Sequence, residues 1–187
     1  MSCLAPPDLL SCTQCPLHET RKAVVPGHGN PHARIMLVAE APGKVEEEHR
    51  EPQPLVGPAG RRLDRILERV PLDRTELWLS NVVKCRPPSN DLRPYPNTVI
   101  LCPQLWLDGE IQQVKPAVIV SLGATAGARW FPGYQASEMA DMQRVLPDGT
   151  VICGAFHPSY GLRRGGDWNT IDESIRQSLL RAKELIE

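Results

Sequence analysis

Four stretches of the chain are apolar at nearly every position: Ile35–Ala39, 77–83, 117–122 and 151–156. A strand with one solvated face alternates polar and apolar residues, so runs without alternation predict strands covered on both faces, as in parallel sheets. Helical spacing appears between and after them. Leu63, Ile66, Leu67 and Val70 mark one face over 60–70, with Arg61, Arg62, Asp64, Arg65 and Glu68 outside; Ile171, Ile175, Leu179 and Ala182 do the same over 168–186. The stretch 97–114 is also roughly helical, but Pro103 must either occupy a first turn or kink the helix, so a helix with a disturbed start, carrying Cys102, is expected. Strands alternating with helices predict an α/β fold: a short, mostly parallel four-stranded sheet with helices on both sides.

The length of 187 residues suits one domain over 1–187 with a substantial core. The formal net charge of −1 excludes a generally basic nucleic-acid coat, so any grip on phosphate must be local. No apolar stretch approaches the roughly 20 residues that span a bilayer, and no charged-then-apolar leader opens the sequence. The expectation is therefore a cytoplasmic protein with reduced cysteines and no membrane partner. Prolines gather in the connections, at Pro52, Pro54 and Pro58 and at Pro87, Pro88, Pro94 and Pro96. Fixed φ angles stiffen those loops, and a stiff loop loses less entropy on ordering around a ligand.

Within that frame the cysteines stand out. Cys12 and Cys15 form a tight pair, with Cys85 and Cys102 far downstream. Four soft thiolates in a reduced compartment suit zinc or an iron-sulfur cluster, with His18 a lower-ranked substitute ligand. Cys153 lies in an apolar run and reads as a small hydrophobe.

The loops after the strands carry the remaining chemistry. Beyond the first run come Ala39-Glu40-Ala41-Pro42-Gly43, the acidic Glu46, Glu47 and Glu48, and then Leu55-Val56-Gly57-Pro58-Ala59-Gly60. This is where open α/β sheets bind ligands, although neither a dinucleotide turn nor a phosphate loop is spelled out. Gly57 and Gly60, near a helix start, would let backbone N–H groups approach a phosphate. Arginines 61, 62 and 65 could extend that patch or form an ordinary solvated face. Asn81 interrupts the second apolar run and must find partners, either from the backbone or from the edge of a pyrimidine. His157 ends the last run, followed by Ser159, Leu162 and two arginines, a composition suited to entering a duplex. Glu40, Asn81 and His157 are thus expected on one rim of the sheet.

Taken in order, the Cys-x-x-Cys start, Glu40 to Gly43, Val56-Gly57 with Ala59-Gly60, Asn81 with Lys84-Cys85-Arg86-Pro87-Pro88, Cys102, and His157-Pro158-Ser159 with Leu162-Arg163 resemble the iron-sulfur uracil-DNA glycosylases known as family 4. The resemblance covers almost the whole chain. It implies a three-layer αβα sandwich and a structural [4Fe-4S] cluster on Cys12, Cys15, Cys85 and Cys102. It further implies a monomer that removes uracil from double- or single-stranded DNA and leaves an abasic site. Ala39, Ala41, Gly43, Leu55 and Asn81 would line the uracil pocket, and His157 would donate toward O2 of the base. Glu40, or one of Glu46 and Glu47, would handle the attacking water. Gly57, Gly60, Ser159, Leu162 and Arg163 would meet the DNA.

Two positions depart from the family pattern: Ala39 where glycine is usual, and Leu55 where an aromatic residue stacks on the base. A leucine forfeits the π contribution, about 1 kcal/mol. Two further readings follow: an iron-sulfur DNA-binding homologue with weakened or lost cleavage, and a zinc protein with four thiolate ligands and no enzymatic role.

Overall fold

The structure, a computed structural model, describes residues 7–160 and 168–187. Its centre is a sheet of β1 His28–Gly29, β2 Ile35–Ala39, β3 Leu77–Asn81, β4 Val118–Leu122, β5 Gln143–Val145 and β6 Val151–Ala155, in the spatial order β1-β3-β2-β4-β6-β5. The four apolar runs form its four inner strands, and these are parallel throughout. The expected four-stranded sheet is corrected to six strands, because β1 pairs antiparallel with β3 and β5 antiparallel with β6. Neither edge strand carries a hydrophobic signal: β1 is two residues long, one of them glycine, and all three residues of β5 are exposed. Short or polar edges of this kind discourage pairing with another chain.

Successive strand residues feed two cores. Met36, Val38, Trp78, Ile119 and Ile152 join Leu107, Val114 and Phe131 on one face. Ile35, Leu37, Leu79, Val120 and Cys153 join Leu63 and Ile66 of the helix Pro58–Leu67, and Ile171, Ile175 and Leu179 of the helix Trp168–Glu184, on the other. A fully buried aliphatic side chain contributes about 1.5–3 kcal/mol, so a sheet apolar on both faces requires a helical layer on each. The result is the αβα sandwich. Arg62 spends its charge within this packing, meeting Asp172 at 2.6 Å and lying 3.5 Å over the Trp168 ring.

The helix over 98–114 absorbs its proline in mid-course. Thr98–Cys102 and Asp108–Val114 are α-helical, and Pro103–Leu107 between them is a π-turn. Pro103 has no N–H for the carbonyl one turn back, and the ladder resumes at wider spacing where the Asp108 N–H bonds the Pro103 carbonyl. Cys102 stays buried as a result. All four parallel strands end on the same edge of the sheet, which places the loops after Ala39, Asn81, Leu122 and Ala155 side by side. Among the described residues no helix is long and apolar enough to cross a membrane.

Candidate active site

Asn81 is the last residue of β3, in register with Ala39 and only 2 % exposed. The chain beyond it is pinned to β2, with Val82 N–H donating to the Ala39 carbonyl at 2.9 Å and Val83 N–H to the Glu40 carbonyl at 3.0 Å. This holds the Asn81 side chain still, yet its Nδ2 is buried without a hydrogen-bond partner. An unmet buried donor costs about 1–3 kcal/mol, so this amide is set to receive an acceptor.

Glu40 follows β2 directly. The Thr125 hydroxyl, from the turn after β4, donates to Glu40 Oε2 at 2.6 Å, and both residues line a cleft of about 700 Å³ walled by Val82, Leu92, Val99 and Ile100. Of Glu40, Asn81 and His157, which share the sheet edge, only Glu40 lines that cleft. Thr125 was missed by sequence reasoning. Its signal was positional: it stands in the turn after a parallel strand.

His157 lies just beyond β6. Its Nδ1 accepts the Ser159 N–H at 3.1 Å and lies 2.7 Å from the Ser159 hydroxyl. A backbone N–H can only donate, so Nδ1 accepts in this contact, which leaves Nε2 as the ring nitrogen able to carry a donated hydrogen. Ser159, expected to touch DNA, therefore also sets the histidine tautomer. Gly123 at the end of β4 supports the same ring. It has φ +87°, and a side chain there would come within 2.7 Å of the His157 Cβ. Leu162 and Arg163 lie outside the described residues.

The acidic loop residues point in different directions. Glu46 Oε1 accepts the Gly57 N–H at 2.8 Å, and a Cβ on either Gly43 or Gly57 would sit 2.8 Å from the Glu46 carboxylate. The Gly57 N–H expected to face phosphate is thus occupied by a carboxylate. Gly60 is small for another reason: a Cβ there would stand 1.8 Å from the Leu55 carbonyl oxygen. Glu47 turns toward the N-terminal segment, accepting the Lys22 N–H at 2.8 Å and lying 3.6 Å from Arg86. Leu55 is buried at 4 % exposure, packed in the core that includes Ala39, while Ala41 packs on the opposite core.

The four cysteines gather where the N-terminal segment crosses the Asn81–Cys85 stretch. Val24 bridges Cys85, Cys85 and Cys102 are buried in one core, and Cys15 packs against it. All four are free thiols. Arg21 spans the group, donating to the Cys12 carbonyl at 2.6 Å and to Cys85 Sγ at 3.5 Å, and the Lys84 N–H points at Cys102 Sγ from 3.4 Å. Burial raises the Cys85 thiol, with Arg21 opposing it, and pushes Cys102 up to about 12. Both stay neutral unless a cationic centre compensates their charge. Among the described residues no group of three or more His, Cys, Asp or Glu side chains forms a site for a metal ion.

Beneath this region lies a buried ion pair. Lys84 Nζ meets Glu110 Oε2 at 2.9 Å and the Ser80 hydroxyl at 2.5 Å, Ser80 donates to the same carboxylate oxygen at 2.5 Å, and the Gly27 N–H donates to Glu110 Oε1 at 3.0 Å.

Residues 26–177 match the family model described as the uracil DNA glycosylase superfamily. A type-4 uracil-DNA glycosylase of Thermotoga maritima is 37 % identical over 94 % of this chain and 89 % of its own length. One from Pyrobaculum aerophilum is 35 % identical over 82 % of this chain and 81 % of its own. A type-5 uracil-DNA glycosylase of Thermus thermophilus is 29 % identical over 86 % and 80 % respectively. The chain belongs to the uracil DNA glycosylase superfamily, and within it to the type-4 family.

Proposed function

We propose that this protein is a monofunctional DNA-repair glycosylase that hydrolyses the N-glycosidic bond of uracil in DNA, acting as a monomer built from one domain over 1–187. The observation that carries the reading is the buried, partnerless Nδ2 of Asn81 at the C-terminal edge of a parallel sheet. The names of the related proteins support the same activity.

A base inside a duplex is out of reach, so the nucleotide must be extruded and its pairing edge read in the protein. The Asn81 amide donates to O4 of uracil, an acceptor where cytosine presents a donor. The Nε2 hydrogen of His157 points at O2, where negative charge gathers as the bond from N1 to C1′ breaks and its electron pair stays on the base. Water adds to C1′, and the proton it gives up ends, directly or through solvent, on the departing uracil anion. Glu40 is assigned to orient that water because, of the three acidic candidates, it alone directly follows a parallel strand, on the sheet edge it shares with Asn81 and His157; Glu46 and Glu47 are assigned to anchoring loops. Ser159 is assigned to the DNA-facing side, where Leu162 and Arg163, outside the described residues, are expected to join it, and Ala39, Ala41, Gly43 and Leu55 to the walls around the base; the Gly57 N–H and the space at Gly60 are already taken by Glu46 and the Leu55 carbonyl.

A [4Fe-4S] cluster is assigned to the four thiols because the donor set is soft and unpaired, with Cys85 and Cys102 buried, Cys12 and Cys15 half-buried, and two N–H groups facing the sulfurs of Cys85 and Cys102. Such a group would supply a cross-link between distant segments rather than a reaction step. Purified protein is expected to absorb near 400 nm and to lose that band with its cooperative melt on chelation; a colourless, zinc-containing preparation would remove the cluster from the account.

The decisive experiment uses oligonucleotides with one labelled uracil, single- and double-stranded, followed by alkaline cleavage of abasic sites. Strand scission at the uracil is the expected result. Tight DNA binding with no scission at stoichiometric protein would instead select the DNA-binding homologue, the reading that Leu55 in place of an aromatic residue favours.

A further inference from the structure

Leu55 has φ +57°. The left-handed region is unfavourable for a side chain with a Cβ, and a buried leucine held there at a functional rim marks stored strain. Something must hold it, and the surroundings show what does. Arg74 Nη2 donates to the Leu55 carbonyl at 2.5 Å while its Nη1 meets Asp64 Oδ1 at 2.5 Å, so one guanidinium ties the turn to the helix that follows it. The same carbonyl rests on Gly60, where no Cβ fits. Two residues on, Glu46 holds the Gly57 N–H. Arg74 is itself fixed at its root: Asp73 and Glu76 close a capping box around its turn, with Thr75 N–H to Asp73 at 2.7 Å and Asp73 N–H to Glu76 at 3.0 Å.

We propose that Arg74 is a positioning residue for substrate recognition, holding Leu55 in its left-handed conformation so that the loop forms a rigid wall of the base pocket. This rests on the glycosylase reading. Neither Arg74 nor its contact with the loop suggested itself from the sequence, since a backbone acceptor leaves no residue-type signature. A lysine could reach one of the two partners but lacks the fork that grips both.

Arg74→Met, Leu55→Gly and the double variant separate positioning from general support. Glycine adopts positive φ without cost, so it removes the need for the clamp. In Arg74→Met, amide hydrogen exchange over 55–57 is expected to accelerate at least about tenfold, with the strand cores unchanged and kcat/KM per folded enzyme on uracil-DNA down about tenfold. In the Leu55→Gly background the same Arg74 change should alter each quantity by less than about twofold. Unaltered exchange over 55–57 in Arg74→Met, or effects that simply multiply in the double variant, would overturn the proposal. A wild-type protein that releases no uracil sinks the glycosylase reading instead, and the exchange comparison still decides the clamp.

Discussion

His157→Ala is expected to lower kcat on uracil-DNA by about 10²–10³-fold, the usual cost of deleting one donor aimed at developing negative charge. KM should shift by less than about threefold, because O2 of the neutral ground-state base asks little of the donor. Steady-state kinetics on a single-uracil oligonucleotide give the split, and a loss confined to KM would reassign His157 to binding. The direction follows from the tautomer. Because the Ser159 N–H occupies Nδ1, the hydrogen the ring can donate is the one on Nε2. Ser159→Ala keeps that backbone donor and removes only the hydroxyl, so its effect should be smaller. If the serine change matched the alanine change at 157, Ser159 itself would have to contact substrate.

The inner sheet was legible because burial on both faces leaves no polar alternation, and the four runs at 35–39, 77–83, 117–122 and 151–156 contain β2, β3, β4 and β6 with ends shifted by at most two residues. The edge strands β1 and β5 were not, since pairing through the backbone alone imposes no side-chain pattern. The same division runs through the site. Asn81 and His157 announced themselves as polar residues ending apolar strands, and the cysteines by their chemistry. Thr125 was silent because a threonine beyond a strand is ordinary until a carboxylate is found 2.6 Å away. The acidic residues Glu46 and Glu47 gave a type but not a direction: neighbours in sequence, they diverge toward Gly57 and Lys22. Glycines 57 and 60 fit a phosphate-approach pattern, yet their size is demanded by Glu46 and by the Leu55 carbonyl. A glycine says that space is needed, not what fills it.

Lys84→Met is expected to destabilise the fold by about 3–5 kcal/mol, the cost of stranding one member of a buried ion pair. Lys84 and Glu110 are 1 % and 4 % exposed, and Glu110 would keep only the Ser80 hydroxyl and the Gly27 N–H against its charge. For a chain of this size that loss lowers the melting temperature by about 6–20 °C. Glu110→Leu added to Lys84→Met removes the stranded carboxylate, and most of the loss should return, because an apolar pair of similar volume avoids the desolvation penalty altogether. Thermal unfolding of the single and double variants provides the measurement; a loss under about 1 kcal/mol in Lys84→Met would mean that water reaches the pair. The functional consequence depends on position. Lys84 follows Asn81 by three residues and precedes Cys85, its own N–H faces Cys102, and Glu110 belongs to the helix body that carries Cys102. The ion pair therefore ties the base-reading strand end to the segment holding the thiols. A double variant that melts like the wild type yet releases uracil more slowly would assign the pair to alignment of Asn81. Full activity in that variant would confine it to stability.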